Sequence, residues 1–556
     1  MSATTGDDGR IVTQTSAESA PAPGAGRDRR RGKGLVIFVL AVAALFAAPF
    51  LHLAVRSLEE AGTLVDEVTS APALGSLGRS ITLAAAVSVA AATIGVSAAW
   101  LVTRTDIPGR SVWRALLPVP LVIPSYIGAF VMIAAFAQGG ALATMLSALG
   151  VAQVSGFRGF FGSFVVLTLF TYPYVYLPVQ ARFRQLPSSL EESARLLGAR
   201  PLGTFWSIAL PQARGAIVAG GLLVFLYTVS DFGVVQLMRY DTLTRVIYST
   251  RLIDSLTSVR LSLMLGILAI AVVVAERGFA RRGPMRDPKR EARPLQYRLG
   301  RWRPAAALSL AGIVGLALIT PVAVCVWWAF RGVVRGDTPA AEFFTSAADL
   351  VRPALNTSVA AVAAALTAVV LVAPVAYLAV RRPGRVGATA SAVVLGGFAL
   401  PGLSIALSLV YFTLSGASWL SGIYQTLPLL VLAYVIHFGA QAMNVAAVAV
   451  GSVPVRVEDA ARTLGVSPTQ RLWRIELPLM LPGLMSGAGL VLMSAMKELP
   501  ATLLLAPIGF ETLSVKIWTG TESARFADAS LACLALILTS GVLTWLLVIR
   551  RSDTLI

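Results

Sequence analysis

Runs of about twenty apolar residues recur from one end of this chain to the other, and no other feature restricts its fold so tightly. The first, "GLVIFVLAVAALFAAPFLHLAV", extends from Gly34 to Val55. A run of that length crosses the ~30 Å hydrocarbon core of a bilayer as a helix. The runs are continuous rather than alternating inward and outward, which excludes the strands of a membrane barrel. Charged residues make up 13% of the 556, against roughly 25% in a soluble domain. The fold class is therefore an all-α polytopic membrane protein.

Runs begin near Gly34, Ser80, Ala115, Phe160, Gly215 and Leu261, and again near Pro304, Thr357, Gly387, Leu427, Leu481 and Ala527. This gives about twelve transmembrane helices, six on each side of a basic, proline-containing linker. The expected organisation has five parts, in chain order: a disordered tail over 1–33, a first half over 34–275, the linker over 276–303, a second half over 304–550 and a short tail over 551–556. The first segment is rich in Ser, Ala, Gly and Pro and cannot bury a core. The apolar run after it is longer than the ~7–15 residues of a cleaved signal, so it is read as an uncleaved first helix. Basic clusters fall between the runs on one side, together with the N-terminal arginines, which predicts that both termini are cytoplasmic. That clustering accounts for the net charge of +18 without nucleic acid as a partner. Cys325 and Cys533 lie inside apolar runs and read as buried thiols. With only two histidines, a histidine-rich metal site is excluded.

The halves are related. "TRTDIPGR", ending at Arg110, parallels "AVRRPGR", ending at Arg385, and "LVIPSYI" around Pro124 parallels "FALPGLS" around Pro401. Two pseudo-symmetric six-helix bundles follow from a duplication of this period. Pro124 and Pro401 are expected in mid-helix, where a missing hydrogen bond makes a kink, either as a hinge or as a static bend.

The longest echo is polar. "EESARLLGARPLGTFWSIALPQAR", from Glu191 to Arg214, returns as "EDAARTLGVSPTQRLWRIELPLML", from Glu458 to Leu481, an offset of 267 shared by Pro187 and Pro454. Glu192, Ser193, Ala194, Gly198, Ile208, Leu210 and Pro211 match Asp459, Ala460, Ala461, Gly465, Ile475, Leu477 and Pro478 at identical intervals. Acidic residues suit a helix N-terminus, and small side chains admit the close approach of another surface. The glycine is expected to end or bend this helix. A second short helix would then carry Phe205/Trp206 or Leu472/Trp473, and Ile-x-Leu-Pro would lead the chain back into the membrane. A helix adsorbed on headgroups has no need of such spacing.

These two stretches resemble the EAA motif of ABC importer permeases. The resemblance implies a pair of coupling helices that dock on a cytoplasmic ABC ATPase dimer. Glu191, Glu192, Ser193, Ala194, Gly198 and Pro211 would serve one ATPase subunit, and Glu458, Asp459, Ala460, Ala461, Gly465 and Pro478 the other. Ser193 and Asp459 depart from the family pattern but keep its size or charge. The resemblance further implies a periplasmic or lipid-anchored substrate-binding protein as partner, and the bacterial cytoplasmic (inner) membrane as location. No phosphate loop G-x-x-x-x-G-K-[ST] is present. The chain is thus expected to bind no cofactor and to be no enzyme itself, with ATP and Mg used by the partner ATPase.

Asp231 and Glu498 share the 267 offset and form a candidate translocation path, because intramembrane carboxylates usually face a cavity or a partner. Local neutralisation, for Glu498 by Lys497, is the plainer reading. The stretch from Met496 to Ser530 resembles the ferric-iron branch of the family, which implies Fe(III) as cargo. Asp231, Glu498, Tyr172, Tyr174 and Tyr176 offer oxygen ligands, although the tyrosines serve equally as packing groups. Relatives for thiamine, phosphonate or polyamine keep the same architecture. An ion-coupled secondary transporter would explain the duplication and the carboxylates, but not two sockets.

Overall fold

The computed structural model describes residues 25–58, 61–137, 140–148, 157–186, 188–198, 201–280, 296–334, 349–398, 400–415 and 418–544. The expected tail up to residue 24, Pro187, residues 281–295 of the linker and the closing segment 545–556 lie outside them.

Eleven helices among the described residues are long and apolar enough to span a membrane, or twelve when one bent pair is counted as a span. In chain order they are α1 (Ala25–Ser57), α2 (Ala71–Arg104), α3 (Ser125–Met145), α4 (Gly159–Gln185), α5 (Phe205–Ser230) and α6 (Ser255–Ala280). The second set is α7 (Gly300–Arg331), α8 (Val351–Arg381), α9 (Arg385–Gly397 and Gly402–Leu414, bent by 105°), α10 (Leu427–Ser452), α11 (Pro468–Met496) and α12 (Phe526–Leu543). The arginine-rich end of the expected tail is helical, since α1 starts at Ala25. Arginine and lysine are good helix formers, and no proline interrupts the chain between Pro23 and the membrane run.

Lipid tails are as apolar as leucine, so helices in a bilayer associate through close packing rather than hydrophobicity. Alanines supply that packing in α8, where Ala360, Ala361, Ala364, Ala365 and Ala368 form a buried seam, and α8 lies along α10 and α11. The halves are not separate bundles. Helix α1 packs against α6, α8 and α9, and its Val39, Val42 and Phe46 belong to the core of the second half. Helix α7 reciprocates, packing on α12 of its own half and on α3 of the first, with Leu310, Val314, Ala317 and Val324 in the core that contains most of the first half's buried residues. Each exchange carries a polar tie: Ser408 Oγ donates to the Pro49 carbonyl (2.7 Å) and Trp328 Nε1 to the Ala134 carbonyl (3.0 Å). Cys325 and Cys533 are free and buried.

One expectation about proline is corrected. Pro124 and Pro401 are not in mid-helix. Pro124 is the N-cap residue of the helix at Ser125, with ψ 141°, and Pro401 occupies the break of α9 just before Gly402. A proline cannot donate to the preceding turn but suits a helix start, so each stands just before a new helix, and at Pro401 the two helices meet at a 105° bend. The Ile-x-Leu-Pro segments lead directly into the spans at Phe205–Ser230 and Pro468–Met496. Pro211 and Pro478 each follow a π-helical turn, Phe205–Ala209 and Leu472–Glu476, and Pro321 follows a third, Gly315–Ile319. The wider turn makes room for the proline ring against the carbonyl four residues back. The short helices Pro201–Thr204 and Pro468–Arg471 therefore run straight into α5 and the body of α11.

A Cβ at Gly439 in α10 would lie 2.6 Å from Phe46 Cε1. Gly439→Val should lower the melting temperature in detergent, and Phe46→Ala should cost about 3–5 kcal/mol alone. The double variant should be more stable than the summed singles by on the order of 1 kcal/mol. Strict additivity would contradict the exchanged position of α1.

Candidate functional site

The two repeated polar segments are built alike. Each opens with a helix outside the spans, Ser188–Leu196 and Val455–Thr463. Each ends at a glycine of positive φ, +88° at Gly198 and +70° at Gly465, with open space where a side chain would be. The left-handed conformation stops the helix and is strained for any residue with a Cβ. Glu192 and Ser193 are exposed, as are Asp459 and Ala460; Ala194 is half-buried and Ala461 buried. Large apolar groups crown the exposed side: Leu196, Leu197 and Trp206 in one copy, Val455, Leu464 and Trp473 in the other. Pro211 and Pro478 are exposed beside them.

The first acidic residue of each copy turns the other way. Glu191 is fully buried and ion-paired with Arg104 at the end of α2, Nη1 to Oε2 at 3.0 Å. The same guanidinium donates through Nη2 to the carbonyls of Phe183 (2.5 Å) and Leu186 (3.0 Å). In the second copy Arg381, at the end of α8, pairs with Glu458 at 3.2 Å and donates to the carbonyls of Val450 (2.9 Å) and Val453 (2.5 Å). Phe183 and Leu186 lie 267 positions before Val450 and Val453, so the two anchors repeat contact for contact. Burial pushes the Glu191 carboxyl up, and the Arg104 charge opposes the rise. Arg104 and Arg381 hold these helices in place and were passed over in the sequence. Both stand in the paralleled "TRTDIPGR" and "AVRRPGR" stretches, where basic residues read simply as topological charge.

The paired carboxylates lie far from these sockets. Asp231 follows α5 and Glu498 follows α11. Asp231 Oδ1 accepts from the Val234 N–H (2.8 Å), Oδ2 accepts from Ser125 Oγ (2.7 Å), and Glu498 Oε1 accepts from the Ala501 N–H (3.1 Å). Each carboxylate thus caps the short helix after a chain break, Gly233–Leu237 or Pro500–Leu505. Lys497 does not neutralise its neighbour; its Nζ crosses to the Leu121 carbonyl of the other half at 3.0 Å. Asp231 and Glu498 line one cavity of ≈190 Å³ between the halves, along with Pro124, Tyr174, His437 and Lys497. Of the three candidate tyrosines only Tyr174 lines it. Tyr172 donates its hydroxyl to the Leu117 carbonyl (2.7 Å), and Tyr176 accepts from Gln180 (2.8 Å). Among the described residues no three His, Cys, Asp or Glu side chains come together to hold a metal ion.

A family model described as "Binding-protein-dependent transport system inner membrane component" matches residues 91–280 and 372–552. Among curated proteins the chain is similar to the Fe(3+)-transport system permease protein FbpB 2 of Haemophilus influenzae, 29% identical over 454 residues, or 81% of this chain and 84% of that one. The sulfate transport system permease protein CysT of Escherichia coli is 28% identical over 25% of this chain and 48% of its own. The molybdenum transport system permease protein ModB of Mycobacterium tuberculosis is 30% identical over 29% and 62%. Among solved structures, a chain of a bacterial alginate ABC transporter in complex with alginate pentasaccharide-bound periplasmic protein aligns with TM-score 0.39 and 16% identity, over 47% of this chain and 98% of that one.

Removing one partner of a buried ion pair strands the other charge at a cost of about 3–5 kcal/mol. Arg104→Met should therefore lower the melting temperature in detergent sharply, and Arg104→Met/Glu191→Leu should recover most of the ion-pair part. The two carbonyls would stay unpaired, so full recovery is not expected. A double variant no more stable than the single would show that Glu191 is not held by Arg104.

Proposed function

This chain belongs to the family of binding-protein-dependent transport system inner membrane components, and from that premise we propose that it is the translocation subunit of an ABC importer for Fe(III). The observation that carries the reading is the duplicated socket: two exposed helices of identical spacing, each pinned by an arginine–glutamate pair, fully buried in the first copy and mostly buried in the second. A one-chain permease with two such surfaces suits a separate ATPase with two subunits, which would bind the ATP and Mg. The basic clusters between spans favour a cytoplasmic position for the sockets and both termini.

Iron is supported by the reach of the resemblance and by charge. The Fe(3+)-transport relative matches over 84% of its own length, whereas the sulfate and molybdenum relatives match over 48% and 62% of theirs. The interfacial cavity sets two carboxylates against one lysine. Such a lining attracts a hard cation and repels an oxyanion.

The mechanism follows from helix continuity. ATP binding draws the two ATPase subunits together and with them the sockets. Each socket continues through its π turn into α5 or α11, whose far ends carry Asp231 and Glu498. Rocking of the interlocked halves opens the cavity first to a cargo-loaded binding protein and then, after hydrolysis, to the cytoplasm.

The test is ATPase activity and uptake in liposomes holding the chain with its ATPase, with the binding protein added empty, Fe(III)-loaded or thiamine-loaded. Stimulation by the iron-loaded protein alone, with iron accumulating inside, is expected; stimulation by the thiamine-loaded protein alone would overturn the cargo. Asp231→Asn/Glu498→Gln should cut iron uptake roughly tenfold, the scale of losing 1–2 kcal/mol of charge-assisted interaction. Gly198→Val/Gly465→Val should strain both socket turns by ~1–2 kcal/mol each and leave ATP hydrolysis uncoupled from uptake. Normal uptake by that variant would sink the socket reading.

A further inference from the structure

The two sockets share anchors but not fillings. In the second, Arg471 Nε donates to Glu476 Oε1 at 2.6 Å and the Tyr377 hydroxyl donates to Glu476 Oε2 at 2.9 Å. This buried network ties the start of α11 to α8. The first socket has no such charges at the matching positions. Thr204 stands 267 positions before Arg471, Ala209 the same distance before Glu476, and Trp100 replaces Tyr377 four residues before the anchoring arginine.

A ring from elsewhere in the chain fills the place. Tyr297, in the linker just before α7, is 5% exposed. It stacks on Trp100 with centroids 5.4 Å apart and planes at 27°, and Trp100 meets Phe205 edge-on at 4.9 Å. The guanidinium of Arg195, on the socket helix itself, lies 5.8 Å from the Tyr297 ring centroid. The backbone is held as well. The Tyr297 N–H donates to the carbonyl of Arg104 (2.7 Å), and the Asp106 N–H donates to the carbonyl of Tyr297 (3.1 Å). The Leu299 N–H donates to Asp106 Oδ1 (2.8 Å), and the Arg303 guanidinium donates to the Asp106 carbonyl (2.9 and 3.2 Å). The segment entering the second half is thus bonded to the residue that anchors the first socket.

We propose that Tyr297 is a positioning residue of the first ATPase socket, lent by the linker to a half that lacks the Arg–Glu–Tyr network of the second. The inference rests on the socket reading and adds a consequence to it: the two docking surfaces are held by different means and respond differently to one substitution. Stacking between Trp100 and Arg195 sets the angle between the socket helix and the start of α5. Without the ring, Arg195 has no aromatic face to lie on and the first socket loosens, while the second keeps its own ion pair.

The experiment uses the full chain in complex with its ATPase, with a benzophenone amino acid in place of Leu197 or Leu464. These residues are exposed equivalents in the two sockets, 89% and 80% accessible. Both positions should photo-crosslink to the ATPase in the otherwise unaltered chain. In Tyr297→Ala, crosslinking from position 197 should fall about fivefold, the scale of one lost aromatic pair. Crosslinking from position 464 should hold, and Tyr297→Phe should restore the first. Unchanged yield at 197, or an equal fall at both positions, would overturn the assignment, because a general loss of folding strikes both sockets. Absence of crosslinks from either position before any change at Tyr297 would instead overturn the socket reading, and this inference with it.

Discussion

A single guanidinium at the end of the second span of each half holds the architecture of the transport machinery together. Arg104 and Arg381 each offer a planar fork of donors. Each divides it between two carbonyls at the end of the fourth span of its half and the first carboxylate of the socket helix. The last carbonyls of a helix have no intrahelical donor, and a buried carboxylate is costly unless paired. One side chain meets both needs and fixes the socket to the bundle. A lysine would carry the charge but not the geometry. Each repeated polar helix is therefore tied to two spans of its own half.

From that anchor the structure forms a direct mechanical line. The socket glycine ends one helix, a short second helix begins, and a π turn admits a proline without breaking the path into the membrane. At the far end of the same span stands a carboxylate capping the next short helix, Asp231 in one half and Glu498 in the other. Continuous helix thus links each repeated polar segment to the cavity. The exchanged first spans join the halves: α1 seats Phe46 against α10, and α7 seats Trp328 against α3. Each half carries a helix of its partner, so neither moves alone. The Tyr297 tie adds a local difference to this near-symmetry, bridging the segment that enters the second half to Thr105 at the end of α2.

How much of this was legible in the sequence depends on whether the signal was local. The spans were, because each apolar run must by itself satisfy the bilayer. The socket glycines were, because a left-handed turn must be met at one residue. Asp231 and Glu498 were visible as charges out of place, and the structure sets both on one cavity. Pro124 and Pro401 were visible but misread: proline marks a broken backbone bond, and the break can be a bend or a fresh start. The tyrosines of α4 carried no local sign of which would face inward, and helical geometry sends Tyr174 to the cavity and its neighbours at 172 and 176 to polar partners in the core.

The amino-acid sequence by itself determined the class of fold, the duplication and the two sockets, since these arise from length, periodicity and exact repetition. Only the tertiary structure decided which arginines hold the two repeated polar helices, which half each first span joins, and that Tyr297 packs on Trp100 in one copy while Arg471 pairs with Glu476 in the other. Those facts pair residues many positions apart. An arginine read alone is a topological charge; it becomes an anchor only when folding brings a carboxylate and two unpaired carbonyls to its fork and removes the water that would otherwise serve all three.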